Sequence, residues 1–338
     1  MRLAYLLDRP ELGGGPKVVF EHAALLAARG HEVAVAGRGR EPVWSGGRVP
    51  YIDLSRGGAL PARLDLLVAT WWTTINEALA SDALAVAHFC QGIELDLEHL
   101  APQAAAIRDA YSRPLPALVV APHLGGRLGV EFGREARLAP PALALPWLRP
   151  RLGPRRHPTI ALFGIFAAAV KGVRTGLSAA GRLRAGGLDV RLLRIATLAR
   201  CAEETELASV GRYLEAVSPE AALAALARAD LLLFPSTAAE GFGLPLLEAM
   251  GIGVPAVASR TPGTEFITEG GAGAVLCRPG DADELAAAAQ SILTSSDVWR
   301  RQRRAGRRAA RRFAPEVVAG ELESAILWAR ESGTRPKR

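Results

Sequence analysis

The chain of 338 residues holds few cysteines, methionines, lysines and aromatic residues, and each scarcity removes a class of protein. Three cysteines, Cys90, Cys201 and Cys277, are odd in number and form no C-x-x-C pair, which excludes a disulfide scaffold. They point to buried thiols in a reducing cytoplasm. No run approaches the ~18 apolar residues of a membrane span, and Asp8 interrupts the first apolar stretch too early for a signal peptide. The expectation is a cytoplasmic protein, soluble or at most peripheral at the inner membrane surface. The six histidines lack metal-ligand spacing and no Gly-x-Ser-x-Gly elbow occurs, so neither a metalloenzyme nor a hydrolase is supported. Gly13, Gly14 and Gly15 do not have the G-x-G-x-x-G spacing of a dinucleotide-binding oxidoreductase.

Lysine is confined to Lys17, Lys171 and Lys337, so the net charge of +7 is an arginine charge. Eight arginines, Arg300, Arg301, Arg303, Arg304, Arg307, Arg308, Arg311 and Arg312, fall in one stretch, and without them the chain is close to neutral. The stretch 299–313 reads as an amphipathic helix with Trp299, Gly306, Ala310 and Phe313 on its quieter face. Two roles stay open for it, a solvated surface or a peripheral contact with anionic lipid. Nucleic acid is not supported, because no aromatic residues interleave the arginines.

What remains is globular: 49% hydrophobic and 22% charged residues, with length for two domains. Apolar strands alternate with helical stretches. Strands are expected at 3–7, 33–36, 66–69, 84–89 and 118–121, and helices at 16–29 and 98–111, with Pro16 starting the first helix and Gly30 stopping it. A proline- and arginine-rich connection spans 140–158. A second series follows, with strands at 160–163, 190–195, 231–234 and 256–258 and helices at 173–185, 219–228 and 245–250. The reading is α/β: two Rossmann-like doubly wound domains, 1–150 and 158–312, with ligands at the carboxyl ends of the strands in a central cleft. A last helix at 315–330 is expected to pack back on the first domain.

One stretch carries more chemistry than the rest. The apolar strand 231–234 runs into Pro235-Ser236-Thr237-Ala238-Ala239-Glu240-Gly241-Phe242-Gly243, and Pro245 then starts a helix that carries Glu248. A glycine-flanked helix start offers main-chain N–H groups to an anionic or hydroxyl-rich ligand, and side chains tilted toward the helix N-terminus would aim Glu248 back at the loop of Glu240. Asp281-Ala282-Asp283 could be read as a metal-holding Asp-x-Asp. Its place after Pro279-Gly280 fits a helix cap better, with Glu284 completing a capping box. No metal and no cofactor are expected.

Glu240 and Glu248, within Glu-Gly-Phe-Gly-Leu-Pro-Leu-Leu-Glu-Ala-Met and followed by Gly253-Val254-Pro255, resemble the signature of the retaining GT-B glycosyltransferases of family 4 (group 1). The glycines at 13–15, Gly30-His31-Glu32-Val33, Lys171-Gly172 and Arg278-Pro279-Gly280-Asp281 extend the likeness. It implies a metal-independent transfer of a sugar from a nucleotide-diphosphate donor to a glycan, lipid-linked or small hydroxyl acceptor, with a place in cell-envelope polysaccharide synthesis. By this likeness Glu240 lies against the donor sugar and Glu248 accepts from the ribose hydroxyls. Phe242, Gly243 and Leu244 offer N–H groups to sugar and phosphate, and Lys171 pairs with the diphosphate. Gly14 and Gly15 let the first domain close over it, and Gln91 stands where many members have an acceptor-side histidine.

Departures from the pattern accompany the likeness. Ile165 follows Gly164 where many members have a phosphate-binding arginine, and Leu145-Pro146-Trp147-Leu148 replaces an Asn-Gly-Val-Asp turn. The segment Gln91-Gly92-Ile93-Glu94, with Tyr111 and Pro114, looks somewhat like a rhamnosyltransferase-containing bacterial subgroup. Two alternatives stay open: a nucleotide-sugar-binding protein impaired in catalysis, and a sugar-nucleotide epimerase.

Overall fold

The computed structural model describes residues 1–144, 152–207, 209–237 and 240–333. Ala238, Ala239, Lys337 and the Leu145-Pro146-Trp147-Leu148 segment lie outside the described residues. The chain divides into two compact units, residues 1–142 with 313–338, and residues 143–312.

The first unit runs β1 (Arg2–Leu6), α1 (Gly14–Ala28), β2 (Glu32–Gly37), β3 (Tyr51–Asp53), β4 (Leu66–Ala69), α2 (Trp72–Leu79), β5 (Val86–Cys90), α3 (Ala104–Tyr111), β6 (Ala117–Val119), α4 (Pro122–Phe132) and β7 (Ala136–Leu138). Its strands form one parallel sheet in the order β3-β2-β1-β4-β5-β6-β7. Strands such as Leu66–Ala69 are apolar without alternation because helices cover both faces of the sheet.

The second unit runs β8 (Thr159–Phe163), α5 (Val173–Ala185), β9 (Arg191–Ala196), α6 (Ala202–Leu207), β10 (Arg212–Glu215), α7 (Pro219–Leu226), β11 (Leu231–Phe234), α8 (Leu244–Ile252), β12 (Ala256–Ser259), α9 (Pro262–Thr268), β13 (Val275–Cys277), α10 (Ala282–Leu293) and α11 (Ser296–Ala310). Its parallel sheet has the order β10-β9-β8-β11-β12-β13. After a single 3-10 turn at Arg311–Phe313, the chain returns to the first unit as α12 (Pro315–Ser332), which packs on α1, β5, β6 and β7. Glu323 accepts from Arg29 Nε at 2.7 Å and lies 2.9 Å from His31 Nε2, while the Arg137 guanidinium sits 5.4 Å over the Trp328 ring.

Several local expectations are corrected. Helix α1 begins at Gly14, so Gly14 and Gly15 are its first residues and Pro16 its third. Proline is tolerated throughout a first turn, whose N–H groups have no intrahelical partner, so the start slides upstream. Helix α8 likewise starts at Leu244, with Pro245 second. The helix expected at 98–111 splits into a 3-10 segment, Glu98–Gln103, and α3, because Pro102 lacks the N–H that a continuous helix would use. Asp281 caps α10 by accepting from the Glu284 N–H, but Glu284 turns to the main chain and guanidinium of Arg278, leaving the capping box half made. Cys90 and Cys277 are buried, whereas Cys201 is exposed. The quiet face of α11 is as the pattern requires, with Trp299, Gly306 and Ala310 buried. Among the described residues no helix is long and apolar enough to cross a membrane.

Candidate functional site

In a doubly wound sheet, adjacent strands whose connections leave in opposite directions open a crevice at their carboxyl ends. In the second unit the reversal falls between β8 and β11. The two loops that leave there carry Lys171 and Glu240. Lys171 closes a 3-10 turn, Ala169–Lys171, ahead of α5, and Glu240 lies between β11 and α8. Lys171 Nζ donates to Glu240 Oε2 at 2.8 Å, and Ser236 Oγ donates to the same oxygen at 3.2 Å. The Glu240 side chain is 12% exposed and that of Lys171 37%, so a cation reaches solvent over a nearly buried carboxylate.

Two glycines make this meeting possible. Gly164, at φ +114°, leaves room for the stem of Lys171; a Cβ there would stand 2.8 Å from Lys171 Cβ. Gly172, at φ +58°, lies against the β11–α8 loop so closely that a Cβ would come within 1.9 Å of the Pro235 carbonyl oxygen. The Thr237 N–H also donates to the Val170 carbonyl at 2.8 Å, tying the two loops together beside the ion pair.

Gly243 caps α8 at φ +110°, over the Phe234 ring. Its carbonyl accepts from Leu246 N at 2.9 Å, while the first N–H groups of such a helix point outward and favour an anion. Phe242 is buried edge-on to Phe266, and Glu248, the fifth residue of α8, is buried. A cavity of about 640 Å³ lies elsewhere, between α5 and the turn before α10; Arg174, Arg182, Arg278 and Asp281 line it, and none of the expected site residues does.

In the first unit the reversal lies between β1 and β4. Gln91, just past β5, donates from Nε2 to the Gly15 carbonyl at 3.3 Å, so Gln91 and the start of α1 meet. A cluster underneath was not anticipated. The Gly92 carbonyl accepts from Cys90 Sγ at 3.0 Å and from the Tyr111 hydroxyl at 3.3 Å, and Tyr111 is also bonded to the buried Glu94 carboxyl. Burial pushes Glu94 up to about 7 and Cys90 up to about 12, and it drives His88 well below the ordinary histidine range, helped by the Arg134 charge. A protonated Glu94 can donate to Tyr111, leaving the tyrosine proton for Gly92.

This cluster makes folding sensitive to pH. Folded Glu94 keeps its proton to about pH 7, whereas an unfolded glutamate loses it near 4.5. Its stabilising contribution is therefore complete below pH 4.5 and lost as pH rises through 7. Buried His22, lowered to about 4 by desolvation, acts in the opposite sense and costs stability as pH falls below 6.5. Glu94→Gln should flatten the loss of unfolding free energy between pH 5 and 8, by roughly 1–3 kcal/mol in urea titrations; an unchanged pH profile would contradict the assignment.

The family model for glycosyl transferases group 1 matches residues 157–295. The matched residues lie within the second unit. A phosphatidyl-myo-inositol mannosyltransferase of Propionibacterium freudenreichii is 28% identical over 76% of this chain and 75% of its own length. That of Mycobacterium leprae is 29% identical over 54% of this chain and 50% of its own, so the chain spans half the length of that relative. Among solved structures, sucrose-phosphate synthase from Thermosynechococcus elongatus superposes with a TM-score of 0.76 at 18% identity, covering 97% of this chain and 99% of that one. Anabaena HepE in complex with UDP-glucose gives 0.76 at 16% identity, over 97% and 100% of the chains. The fold is GT-B, two Rossmann-like parallel-sheet units. Among the described residues no group of three or more His, Cys, Asp or Glu could hold a metal ion.

Proposed function

We propose that the protein is a retaining, metal-independent glycosyltransferase that moves a sugar from a nucleotide-diphosphate donor to a hydroxyl acceptor. The observation that carries this reading is the Lys171–Glu240 pair at the β8/β11 reversal, two loops from the carboxyl ends of adjacent strands brought together beside a glycine-capped helix start. Departure of a nucleoside diphosphate develops negative charge, which a fixed ammonium and aligned N–H dipoles stabilise without reorganising. Lys171 takes the diphosphate, with the N–H groups of Phe242, Gly243 and Leu244. Glu240 lies against the sugar, and Glu248 accepts from the ribose hydroxyls. Gly14 and Gly15 of the first unit are assigned to donor binding, and Gln91, which donates to the Gly15 carbonyl, to the acceptor. The mannosyltransferase and HepE likenesses support a nucleotide sugar as donor and a lipid-linked or glycan acceptor.

The test is turnover of a panel of nucleotide sugars by purified protein, with the product anomer read by NMR. A product of retained configuration is expected. Binding without transfer would favour the impaired binder, and an altered sugar still attached to its nucleotide would identify an epimerase.

The acceptor side of this reading includes a membrane. On α11, Arg301, Arg304 and Arg308 are exposed, and exposed Arg311 in the turn that follows continues the steps of three, four and three residues, so they form one stripe. The helix keeps Trp299, Gly306, Ala309 and Ala310 buried in its own unit, which leaves no apolar face to insert. Attachment is then electrostatic, at about 1 kcal/mol per arginine near an anionic surface. Co-sedimentation with phosphatidylglycerol vesicles, lost in 0.5 M salt and with phosphatidylcholine alone, is the expected result.

A further inference from the structure

Arg194 lies inside strand β9, where the rest of the strand is apolar toward the core, and it is 0% exposed. Each of its three guanidinium nitrogens makes a hydrogen bond. Nε donates to Glu204 Oε1 at 2.6 Å, Nη1 to the Leu162 carbonyl at 2.6 Å, and Nη2 to the Gly164 carbonyl at 2.8 Å; the Tyr213 ring lies 5.7 Å away. Glu204, on α6, is also 0% exposed.

The two carbonyls are those of the end of β8 and of the first residue beyond it. Gly164 is the residue whose missing Cβ admits the Lys171 stem, and its own N–H donates to Ile195 O at 3.0 Å. Arg194 therefore fixes the point at which the Lys171 loop leaves the sheet. The continuous chain of contacts is Glu204, Arg194, Gly164, Lys171, Glu240.

We infer that Arg194, oriented by Glu204, is a positioning residue for the donor diphosphate. It is sealed from solvent and never meets the ligand; it holds Gly164, and through it Lys171, at the β8/β11 reversal. This rests on the proposed donor site. Arginine suits the task because its planar fork reaches two carbonyls and a carboxylate at fixed angles, which lysine cannot reproduce. The anchoring of the Lys171 loop comes from beneath, out of the neighbouring strand.

A role in positioning separates from a role in stability through paired substitution. Arg194→Met alone strands Glu204 as a buried charge and is expected to be unstable. Combining Arg194→Met with Glu204→Leu removes both charges and restores apolar packing, so urea stability should return to near the wild-type value. The Gly164 and Leu162 carbonyls still lack their donor. UDP, GDP and ADP are titrated calorimetrically into wild type and double variant, with the matching nucleoside monophosphates alongside. The expected result is a double variant of near wild-type stability whose affinity for the preferred diphosphate is at least tenfold weaker, with a much smaller change for the monophosphate. A stable double variant that binds the diphosphate like wild type overturns the positioning role alone. A double variant that stays unstable is read through Glu204→Gln, which keeps the shape of the pair; tenfold weaker diphosphate binding there supports the role, and unchanged binding overturns it. Wild-type protein that binds none of the three diphosphates overturns the donor-site reading and this inference with it.

Discussion

Lys171→Ala is expected to lower donor kcat/KM by 10²–10³, the loss of about 3–4 kcal/mol that follows removal of one fixed partner from a developing charge. The side chain is half-buried and its ammonium touches a carboxylate that is almost enclosed, so no other described cation substitutes within that contact. Glu240→Ala should cost a similar factor. Because the two groups are in contact at 2.8 Å, the double variant should lose little more than either single one. Steady-state kinetics on all three proteins measure this. Full activity in both single variants would remove the pair from the reaction, and additive losses in the double would show that the two groups act independently.

The second large effect concerns Gly172. Alanine there must accept φ +58°, which costs about 1–2 kcal/mol for an L-residue, and its Cβ would fall 1.9 Å from the Pro235 carbonyl oxygen and 2.7 Å from its carbon. Those are main-chain atoms of the opposing loop and cannot rotate away. One loop has to move, so Gly172→Ala should lower the melting temperature by roughly 10 °C and displace the adjacent Lys171. Gly187→Ala is the control: Gly187 is also left-handed, at φ +86°, but nothing lies within 4 Å of its Cβ position. It should lose only the backbone term and keep its nucleotide binding. Calorimetric melting of the two variants isolates the collision with Pro235, and equal melting temperatures would refute it.

The sequence disclosed whatever depends on neighbours in the chain. The strand Leu66–Ala69, the strand Leu231–Phe234 and the helix Val173–Ala185 lie where their apolar patterns put them, because two covered sheet faces leave little freedom. Two helix starts lie upstream of their proline, at Gly14 and Leu244, since several early positions tolerate proline equally. The glutamates and Lys171 were legible as separate motifs. Their pairing was not, for 69 residues separate them and no spacing rule connects two loops that meet only through strand order. Arg194 left one signal, an arginine inside an apolar strand, whose meaning depends on carbonyls contributed by β8. The Cys90, Glu94 and Tyr111 cluster was hidden for the same reason, three polar groups from β5, the turn after it and α3 converging on one carbonyl.

The return of α12 to the first unit sets an order on biosynthesis. Residues 1–142 leave the ribosome without the helix whose Val318, Leu322, Ile326 and Ala329 are buried in the finished structure, packed on α1 and strands β5 to β7. The whole of the second unit, residues 143–312, is translated first. At 5–20 residues per second that interval lasts roughly 10–30 s. The unit synthesised first is thus the later of the two to be completed, and for that interval its nascent sheet presents an apolar strip to the crowded cell, the kind of surface that holdase chaperones shield.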